Sequence, residues 1–574
     1  MSFDFRWPKW PIIVGACWAA CRTGACNPMR SCCGAWRIPI RNFLRMCRRN
    51  LRRCKVADSG GMELTGAGLL LRSLLVKRLL RREVLAGDER MVGLLLPPSV
   101  AAVVANAAVL LDRRVPVNLN YTVSAEVLNQ CIHRAKIRHV LTSRRVLERF
   151  EHLRPQAEIV YLEDFKHRLR WTDKLLAAVG AWLLPVPVLE RLLGLDHIGA
   201  DDLMTVIFTS GSTGDPKGVM LSHRNVGTNV EAFQEAINLR REDVLLGILP
   251  FFHSFGYTVP LWAGLMLEPK VVYHFNPLDY HQVGALCRQH RVTLLVSAPT
   301  FLRSYVRRVA PEDFASLNLV ITGAEKLPPD LADAFEKRFG VRPVEGYGTS
   351  ELSPVVSVNI PPSRSQHPGR VECKEGTVGR PIPGVQAKVV DLETGKDLGP
   401  GHSGMLLIKG PNVMLGYLDQ PEQTAEVIRD GWYITGDLAE IDAEGFIRIT
   451  GRQSRFSKIG GEMVPHLRVE EVLARVLCLE DDKVCLAVTG IPDPRKGERL
   501  VVLHTGLPKP AEEICRELVA AGLPPLWVPS PDSFRQVPEI PLLGSGKLDL
   551  RRLRELAEAA FARGESALLA EQSR

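Results

Sequence analysis

Between residues 203 and 345 the chain alternates short apolar runs with amphipathic stretches, and this rhythm restricts the fold more than any other feature. The runs at 203–209, 243–249, 270–275, 292–297, 317–322 and 341–345 have the length and residue types of strands. Residues 222–237, 279–290, 299–309 and 328–339 repeat apolar side chains at helical spacing. The last of these opens on Pro328-Pro329 and stops at Gly340, as a helix with a proline start and a glycine end does. Strands joined through helices pair in parallel and are covered on both faces. Upstream, Leu69–Val84 predicts a helix, Met91–Leu96 a strand, and Ser99–Leu111 an apolar helix. After about residue 375 glycine and proline rise. Short β-like runs follow at Ala387–Val390, Met405–Lys409 and Phe446–Thr450, with Asp442-Ala-Glu-Gly445 as a hairpin turn. Beyond Gly451 lies a smaller α+β stretch. The expectation is an α/β protein. A large N-terminal domain of mainly parallel sheets carries a β-rich subdomain, and a small α+β domain follows it.

The 574 residues are too many for one ordinary domain. The expected division is an extension at 1–54, a large domain at 55–451 and a small one at 452–574. The net charge of +9 is concentrated at the start, where residues 1–55 hold twelve Lys or Arg and one acid, Asp4. The remainder has 61 basic and 63 acidic side chains, so a nucleic-acid partner has no support outside that segment. Seven of the thirteen cysteines (Cys17, Cys21, Cys26, Cys32, Cys33, Cys47 and Cys54) lie there too, at spacings that fit no zinc pattern. The others are scattered singly, which suits a reducing cytoplasm. Residues 1–54 read as a disordered extension or as a start upstream of the real one. Val14-Gly-Ala-Cys17 weakly resembles a lipoprotein cleavage box, but the apolar stretch before it is too short for a signal peptide.

Thr209-Ser-Gly-Ser-Thr-Gly-Asp-Pro-Lys-Gly218 follows the apolar run Met204–Phe208 and precedes a helix whose N-cap is Ser222. Glycines let backbone N–H groups approach an anion, hydroxyls donate to it, and lysine adds charge. The stretch reads as a nucleotide phosphate loop. It is not the common P-loop, because Pro216 stands where the second glycine belongs and Gly218 follows the lysine. Further motifs fall near strand ends: Phe251-Phe-His-Ser-Phe-Gly256, Gly323-Ala-Glu325 and Tyr347-Gly-Thr-Ser-Glu351. Thr435-Gly-Asp437, Gly451-Arg452 and Gly544-Ser-Gly-Lys547 come after them. Parallel sheets bind ligands beyond the carboxyl ends of their strands, so one cleft gathers several of these.

The order and wording of these motifs resemble the adenylate-forming superfamily of acyl-CoA synthetases, luciferases and peptide-synthetase adenylation domains, over about residues 55–560. Gly451-Arg-Gln-Ser-Arg-Phe-Ser-Lys-Ile-Gly-Gly-Glu-Met-Val464 and Glu539-Ile-Pro-Leu-Leu-Gly-Ser-Gly-Lys547 are most similar to the synthetase half of bacterial acyl-ACP synthetase/2-acylglycerophosphoethanolamine acyltransferases. The H-x-x-x-x-D pairs His197…Asp202 and His274…Asp279 fall inside the synthetase region and are read as chance spacing.

The resemblance implies roles. Thr209, Ser210, Gly211, Ser212, Thr213, Gly214 and Lys217 hold the β- and γ-phosphates of ATP. Gly323, Ala324 and Glu325 line the adenine, with Tyr347 and Gly348 beside it. Thr349 reaches the α-phosphate, and Glu351 is the Mg²⁺ ligand. Asp437 and Arg452 contact the ribose, and His253 lies near the acyl carboxylate, with a merely packed histidine as the alternative. Lys547 is the catalytic cation, carried on a mobile C-terminal domain that rotates at the Gly451-Arg452 junction. Lys458, Gly460 and Gly461 face the incoming pantetheine. The superfamily commonly has Lys-Asp after this junction; here Ser454-Arg455 stands instead, which makes Arg455 the expected hinge.

Phe255–Leu267 contains no charged residue, which disfavours an amino-acid substrate and fits either an acyl tunnel or a packed helix. The expected activity is ligation of a medium- or long-chain fatty acid to coenzyme A or acyl carrier protein. The alternatives are a lipid-remodelling acyltransferase working with a partner chain and a non-catalytic nucleotide-binding scaffold. Trp171–Leu195 is apolar with a Pro-Val-Pro break, too interrupted to span a bilayer. It reads as a helical hairpin or as a peripheral contact with the inner membrane face.

Overall fold

The computed structural model describes residues 38–210, 215–367, 369–459, 462–477, 485–493, 496–542 and 548–572. The alternating region builds the centre of a nine-stranded sheet. Across it run Arg380–Pro381, Val355–Val358, Val344–Gly348, Leu319–Thr322, Leu294–Ser297, Val244–Gly247, Lys270–Tyr273, Cys54–Asp58 and Glu63–Thr65. Every pairing from Val344–Gly348 to Cys54–Asp58 is parallel, as buried strands between helices must be. The helices fall at His223–Ala236, Tyr280–His290, Pro299–Arg308 and Pro329–Phe339, and Gly340 ends the last at φ +74°. Ser222 caps its helix by accepting from the Asn225 N–H, and Asn225 returns the bond to the Ser222 N–H.

A second, four-stranded parallel sheet holds Val115–Asn118, Met91–Leu94, His139–Thr142 and Glu158–Tyr161. Thr205 ties it to a three-stranded antiparallel sheet by donating to the Pro116 carbonyl at 2.8 Å. That third sheet pairs Leu203–Ser210 with Pro216–Ser222, and the latter with Gly416–Tyr417. The phosphate-loop motif therefore caps a β-hairpin and does not run from a strand directly into a helix. The β-rich subdomain is antiparallel, built from Gln386–Val390, Ser403–Lys409, Trp432–Ile441, Ile428–Arg429 and Ile447–Arg452. Asp442–Gly445 makes its hairpin turn, with the Gly445 N–H donating to the Asp442 carbonyl at 3.0 Å.

The C-terminal part has its own sheet, in which Phe456–Ile459, Glu462–Pro465, Leu486–Asp493, Gly497–His504 and Phe534–Gln536 pair. Its two apolar clusters draw only on residues from Ile459 onward. It meets the rest partly through exposed ion pairs, Lys326–Glu471 at 2.7 Å and Lys458–Glu393 at 3.7 Å. Such pairs contribute little to holding surfaces together.

The expected extension is shorter than 54 residues. Pro39–Arg49 is a helix with Ile40, Phe43 and Leu44 fully buried, and Cys54–Asp58 is a strand of the main sheet. Density of arginine hid this helix, because its basic side chains lie outside an apolar stripe. Arg41 and Arg45 pair with Glu190 at 3.0 Å each. Lys55 is buried and donates to the Leu267 and Pro269 carbonyls at 2.5 Å, and burial pushes its ammonium down to about 7. Cys17, Cys21, Cys26, Cys32 and Cys33 lie outside the described residues. Gly256–Leu267 is buried throughout and Phe255 partly so, with a π-helical turn at Tyr257–Ala263 around Pro260, and Tyr257, Leu261 and Trp262 have no exposure.

His223, the first residue of its helix, is buried, and burial pushes its imidazole down to about 3. The unfolded chain takes up that proton near pH 6.5 while the folded chain refuses it until about 3. Stability from this group is complete above 6.5 and is lost as pH falls toward 3. Denaturant titrations across that window should show His223→Gln losing less stability on acidification than the parent.

Candidate functional site

The carboxyl ends of Leu319–Thr322 and Val344–Gly348 present Gly323–Glu325 and Gly348–Glu351 on one edge of the main sheet. Glu345 fixes the first loop by accepting from the Leu327 N–H at 2.9 Å. Ala324 sits at φ +70°, a left-handed conformation that a residue with a Cβ adopts at a cost of roughly 1–2 kcal/mol. Strain held at the end of a parallel strand marks a loop whose shape matters. A Cβ on Gly323 would lie 3.3 Å from the Phe255 ring, so this loop and the His253 segment are in close approach. Glu325 turns its carboxylate to the helix start at Thr300, whose hydroxyl donates at 2.6 Å.

Gly348 has room for no side chain, since a Cβ there would lie 1.9 Å from the Pro354 carbonyl oxygen. The next residue, Thr349, has a buried hydroxyl without a hydrogen-bond partner among the described residues. A buried hydroxyl left unpaired costs roughly 1–3 kcal/mol, a cost that a ligand oxygen would relieve. Ser350 donates to Ser254 at 2.9 Å and ties this loop to the His253 segment. His253 accepts from the Phe255 N–H through Nδ1 at 3.3 Å, which leaves Nε2 as the protonated nitrogen of the neutral ring.

A chain of side chains joins the sheet edge to the hairpin and to the β-rich subdomain. The Tyr347 hydroxyl donates to Asp437 Oδ2 at 2.5 Å, and Arg452 Nε lies 3.3 Å from Asp437 Oδ1. Asp437 and Arg452 are directly opposed on neighbouring strands. The Tyr417 hydroxyl donates to Glu351 Oε1 at 2.9 Å, and Lys217 Nζ sits 5.2 Å from the centre of the Tyr417 ring. Tyr433 is buried on the strand Trp432–Ile441, which also carries Asp437. Burial first, then Glu351, Tyr417 and Tyr347, push its hydroxyl far up. Burial and then Glu351 push Tyr417 up as well, so both phenols stay protonated as donors.

Thr209 and Lys217 are register partners at the turn end of the hairpin, and Ser210 pairs with Pro216. Gly211, Ser212, Thr213 and Gly214 lie outside the described residues, as do Gly460, Gly461 and Lys547. Arg455 is buried and paired with Glu470 on the C-terminal helix His466–Val476, so its side chain belongs to that unit. Lys458 is exposed, and its N–H donates to Glu498 at 2.7 Å.

Among the described residues no three His, Cys, Asp or Glu side chains group as a metal cage. Glu351 offers a carboxylate with Oε1 engaged by Tyr417, beside the unpaired Thr349 hydroxyl. A Mg²⁺ ion that keeps waters and takes phosphate oxygens asks for one or two carboxylates, so these residues fit it.

Sequence reading missed Tyr417 and Tyr433. The one local signal was Gly416-Tyr417 with Thr424 seven residues on. Gly416 sits at φ +140° against the Thr424 side chain, whose hydroxyl accepts from the Tyr417 N–H at 2.9 Å.

Asp437→Ala removes the acceptor of both Tyr347 and Arg452. Calorimetric titration with ATP should show affinity reduced about 10-fold or more, from the loss of hydrogen bonds to a charged group. Gly348→Ala forces a Cβ against backbone. Denaturant unfolding should show it less stable by about 2 kcal/mol or more.

The sequence model of the AMP-binding enzyme family matches residues 45–418. The chain is 35% identical over 370 residues to a long-chain-fatty-acid–CoA ligase of Bacillus subtilis, covering 62% of each. It thus spans less than two thirds of the length of that curated relative. It superposes on ATP-bound MatB from Rhodopseudomonas palustris with a TM-score of 0.72 and 26% identity, over 90% of this chain and 98% of that one. The o-succinylbenzoate coenzyme A synthetase of Bacillus subtilis, in complex with ATP and magnesium, has the same fold, with a TM-score of 0.72, 22% identity and coverage of 89% and 99%. With that match over more than half of its length and this fold, the chain belongs to the AMP-binding enzyme family.

Proposed function

We propose that this protein is an ATP-dependent acid–thiol ligase that activates a medium- or long-chain fatty acid as its acyl-adenylate. It then passes the acyl group to the pantetheine thiol of coenzyme A or acyl carrier protein. The observation that supports this reading is the pair of contact chains Lys217–Tyr417–Glu351 and Tyr347–Asp437–Arg452, built on residues that the resemblance assigns to phosphate, cation and ribose. Similarity to ligases named for long-chain and, at 32% identity, medium-chain fatty acids supports the choice of acid. So does the charge-free segment Phe255–Leu267.

A carboxylate is unreactive toward thiols because its leaving group would be oxide. Its oxygen attacks the α-phosphorus of ATP, the bond to the bridging oxygen breaks, and pyrophosphate departs with the electron pair. The thiol sulfur then attacks the acyl carbon, the carbon–oxygen bond to AMP breaks, and the thiol proton is released. Positioning and charge neutralisation dominate such phosphoryl transfer. In this reading Thr209, Ser210, Gly211, Ser212, Thr213, Gly214 and Lys217 hold the terminal phosphates. Thr349 donates its hydroxyl to the α-phosphate. Gly323, Ala324, Glu325, Tyr347 and Gly348 flank the adenine. Asp437 accepts from the ribose, because each of its oxygens takes more than one hydrogen bond. Glu351 would hold Mg²⁺, whose charge would offset that of the phosphates. His253 orients the acid through its Nε2–H. Lys547 supplies the cation that meets charge developing in adenylation.

The C-terminal unit, with its own cores and exposed ion pairs, is suited to rotate between the two half-reactions. Because Arg455 is anchored to Glu470, the rotation falls on the backbone of Gln453–Arg455. Lys458, Gly460 and Gly461 then face the pantetheine. The wording of 451–464 and 539–547 favours acyl carrier protein as an acceptor to be tested beside coenzyme A. The proposed setting is cytoplasmic, with peripheral contact at the inner membrane face through residues 171–195.

AMP release measured over a panel of acids, with coenzyme A or holo-acyl carrier protein, tests this reading. Medium or long acids should support turnover, and Lys547→Ala should slow adenylation about 100-fold or more. If no acid elicits AMP, or if Lys547→Ala adenylates like the parent, the ligase reading fails. Acyl transfer to a lysophospholipid in the same assay would favour the lipid-remodelling alternative.

A further inference from the structure

The helix Trp171–Trp182 is inverted relative to an ordinary surface helix. Its small residues Ala177, Gly180 and Ala181 face inward, and a Cβ on Gly180 would lie 3.0 Å from Leu74. Its large apolar residues face out. Trp171 and Leu183 are each 74% exposed, Leu192 is 69% exposed, and Leu175, Leu176 and Trp182 are about half exposed. On the helix, Trp171, Leu175 and Trp182 fall at i, i+4 and i+11, which is one face. The following helix, Val186–Leu192, extends the patch with Val188 and Leu192. A contiguous apolar face of this kind marks a contact surface.

Charge identifies the occupant. The hairpin has two acids, and both are turned inward. Asp173 is held by Arg78 at 3.1 Å and Arg82 at 2.6 Å, and Glu190 by Arg41 and Arg45. The exposed charges of residues 166–192 are all basic: Lys166, Arg168, Arg170, Lys174 and Arg191. Of these, Arg168 lies 4.0 Å from Glu83. A second copy of the chain docked through this face about a two-fold axis would set like charges together, which costs free energy. An anionic bilayer complements both features, taking tryptophan and leucine into the headgroup boundary and basic side chains onto the phosphates. Among the described residues no helix is long and apolar enough to cross a membrane, so the contact is peripheral.

We infer that the Trp171–Leu192 hairpin is a membrane-binding element that seats the protein on anionic lipid surfaces, with both its acids sequestered so that the outer face is apolar and cationic. In the ligase reading this places the protein where long-chain acids partition; the binding itself does not depend on which acid is activated.

Co-sedimentation of the full chain with phosphatidylcholine vesicles, with and without a quarter of phosphatidylglycerol, tests the inference. Binding should favour the anionic vesicles and fall steeply with salt. Trp171→Glu with Leu183→Glu should reduce the bound fraction about tenfold or more while AMP release with a water-soluble acid is unchanged. Lys174→Glu with Arg191→Glu should abolish the preference for anionic lipid. Quenching of tryptophan fluorescence by brominated lipid gives a readout on the parent protein, and Trp171→Phe should reduce it. Three results would each overturn the inference: the parent staying in the supernatant with both vesicles, the apolar variants binding like the parent, or light scattering showing that the variants only split a dimer.

Discussion

Asp437 is the contact on which the arrangement of the candidate site depends. One oxygen receives Tyr347 from the end of a parallel strand, and the other faces Arg452, the last residue of the strand Ile447–Arg452. The parallel main sheet and the antiparallel β-rich subdomain, which have different folding logic, are thereby referenced to one carboxylate. Burial and Asp437 together push the Tyr347 hydroxyl well up, so it keeps its proton and acts as the donor. A hydrogen bond to a charged acceptor is stronger than one between neutral groups. That strength is spent on alignment, since Arg452 is otherwise largely exposed and would lose entropy for little gain.

Much of this was legible in the sequence. Strand and helix positions between 203 and 345 were read to within a few residues, because period and capping are local properties. Gly340 is an example, stopping its helix where a left-handed residue is needed. The departures occurred where tertiary context decided. Pro216–Gly218 reads as the tail of the phosphate loop, leading to the helix cap at Ser222. Pairing on both sides, with Leu203–Ser210 and Gly416–Tyr417, makes Pro216–Ser222 a strand. The Pro39–Arg49 helix was hidden for a related reason, its charge density being satisfied by Glu190, more than a hundred residues distant.

Within the site, the motifs at strand ends were visible because glycine and hydroxyl residues in that order have few purely structural uses. Tyr417 and Tyr433 were not visible. Each is a single tyrosine in a β-rich stretch, and its meaning comes only from Glu351 and Lys217 arriving beside it. Arg455 shows the opposite limit. Its position at the junction was readable, but its anchorage to Glu470 depends on a helix that packs back from further along the chain.

The placement of Cys54–Asp58 has a consequence for how the protein is made. This strand lies between Glu63–Thr65 and Lys270–Tyr273, and Lys55 is satisfied only by carbonyls at Leu267 and Pro269. On the ribosome Cys54–Asp58 emerges well before Lys270–Tyr273, its partner on one side, which lies more than two hundred residues behind. Contacts so distant in sequence close late, after the entropy of a long loop has been overcome. The helix Pro39–Arg49 meets Gly66–Leu79 early, but the part of its apolar stripe that packs on Gly264–Met266 waits exposed until that segment has left the exit tunnel. For a nascent chain that interval is a time of aggregation risk. The arginines that disguise the helix in sequence also keep it dispersed through that wait.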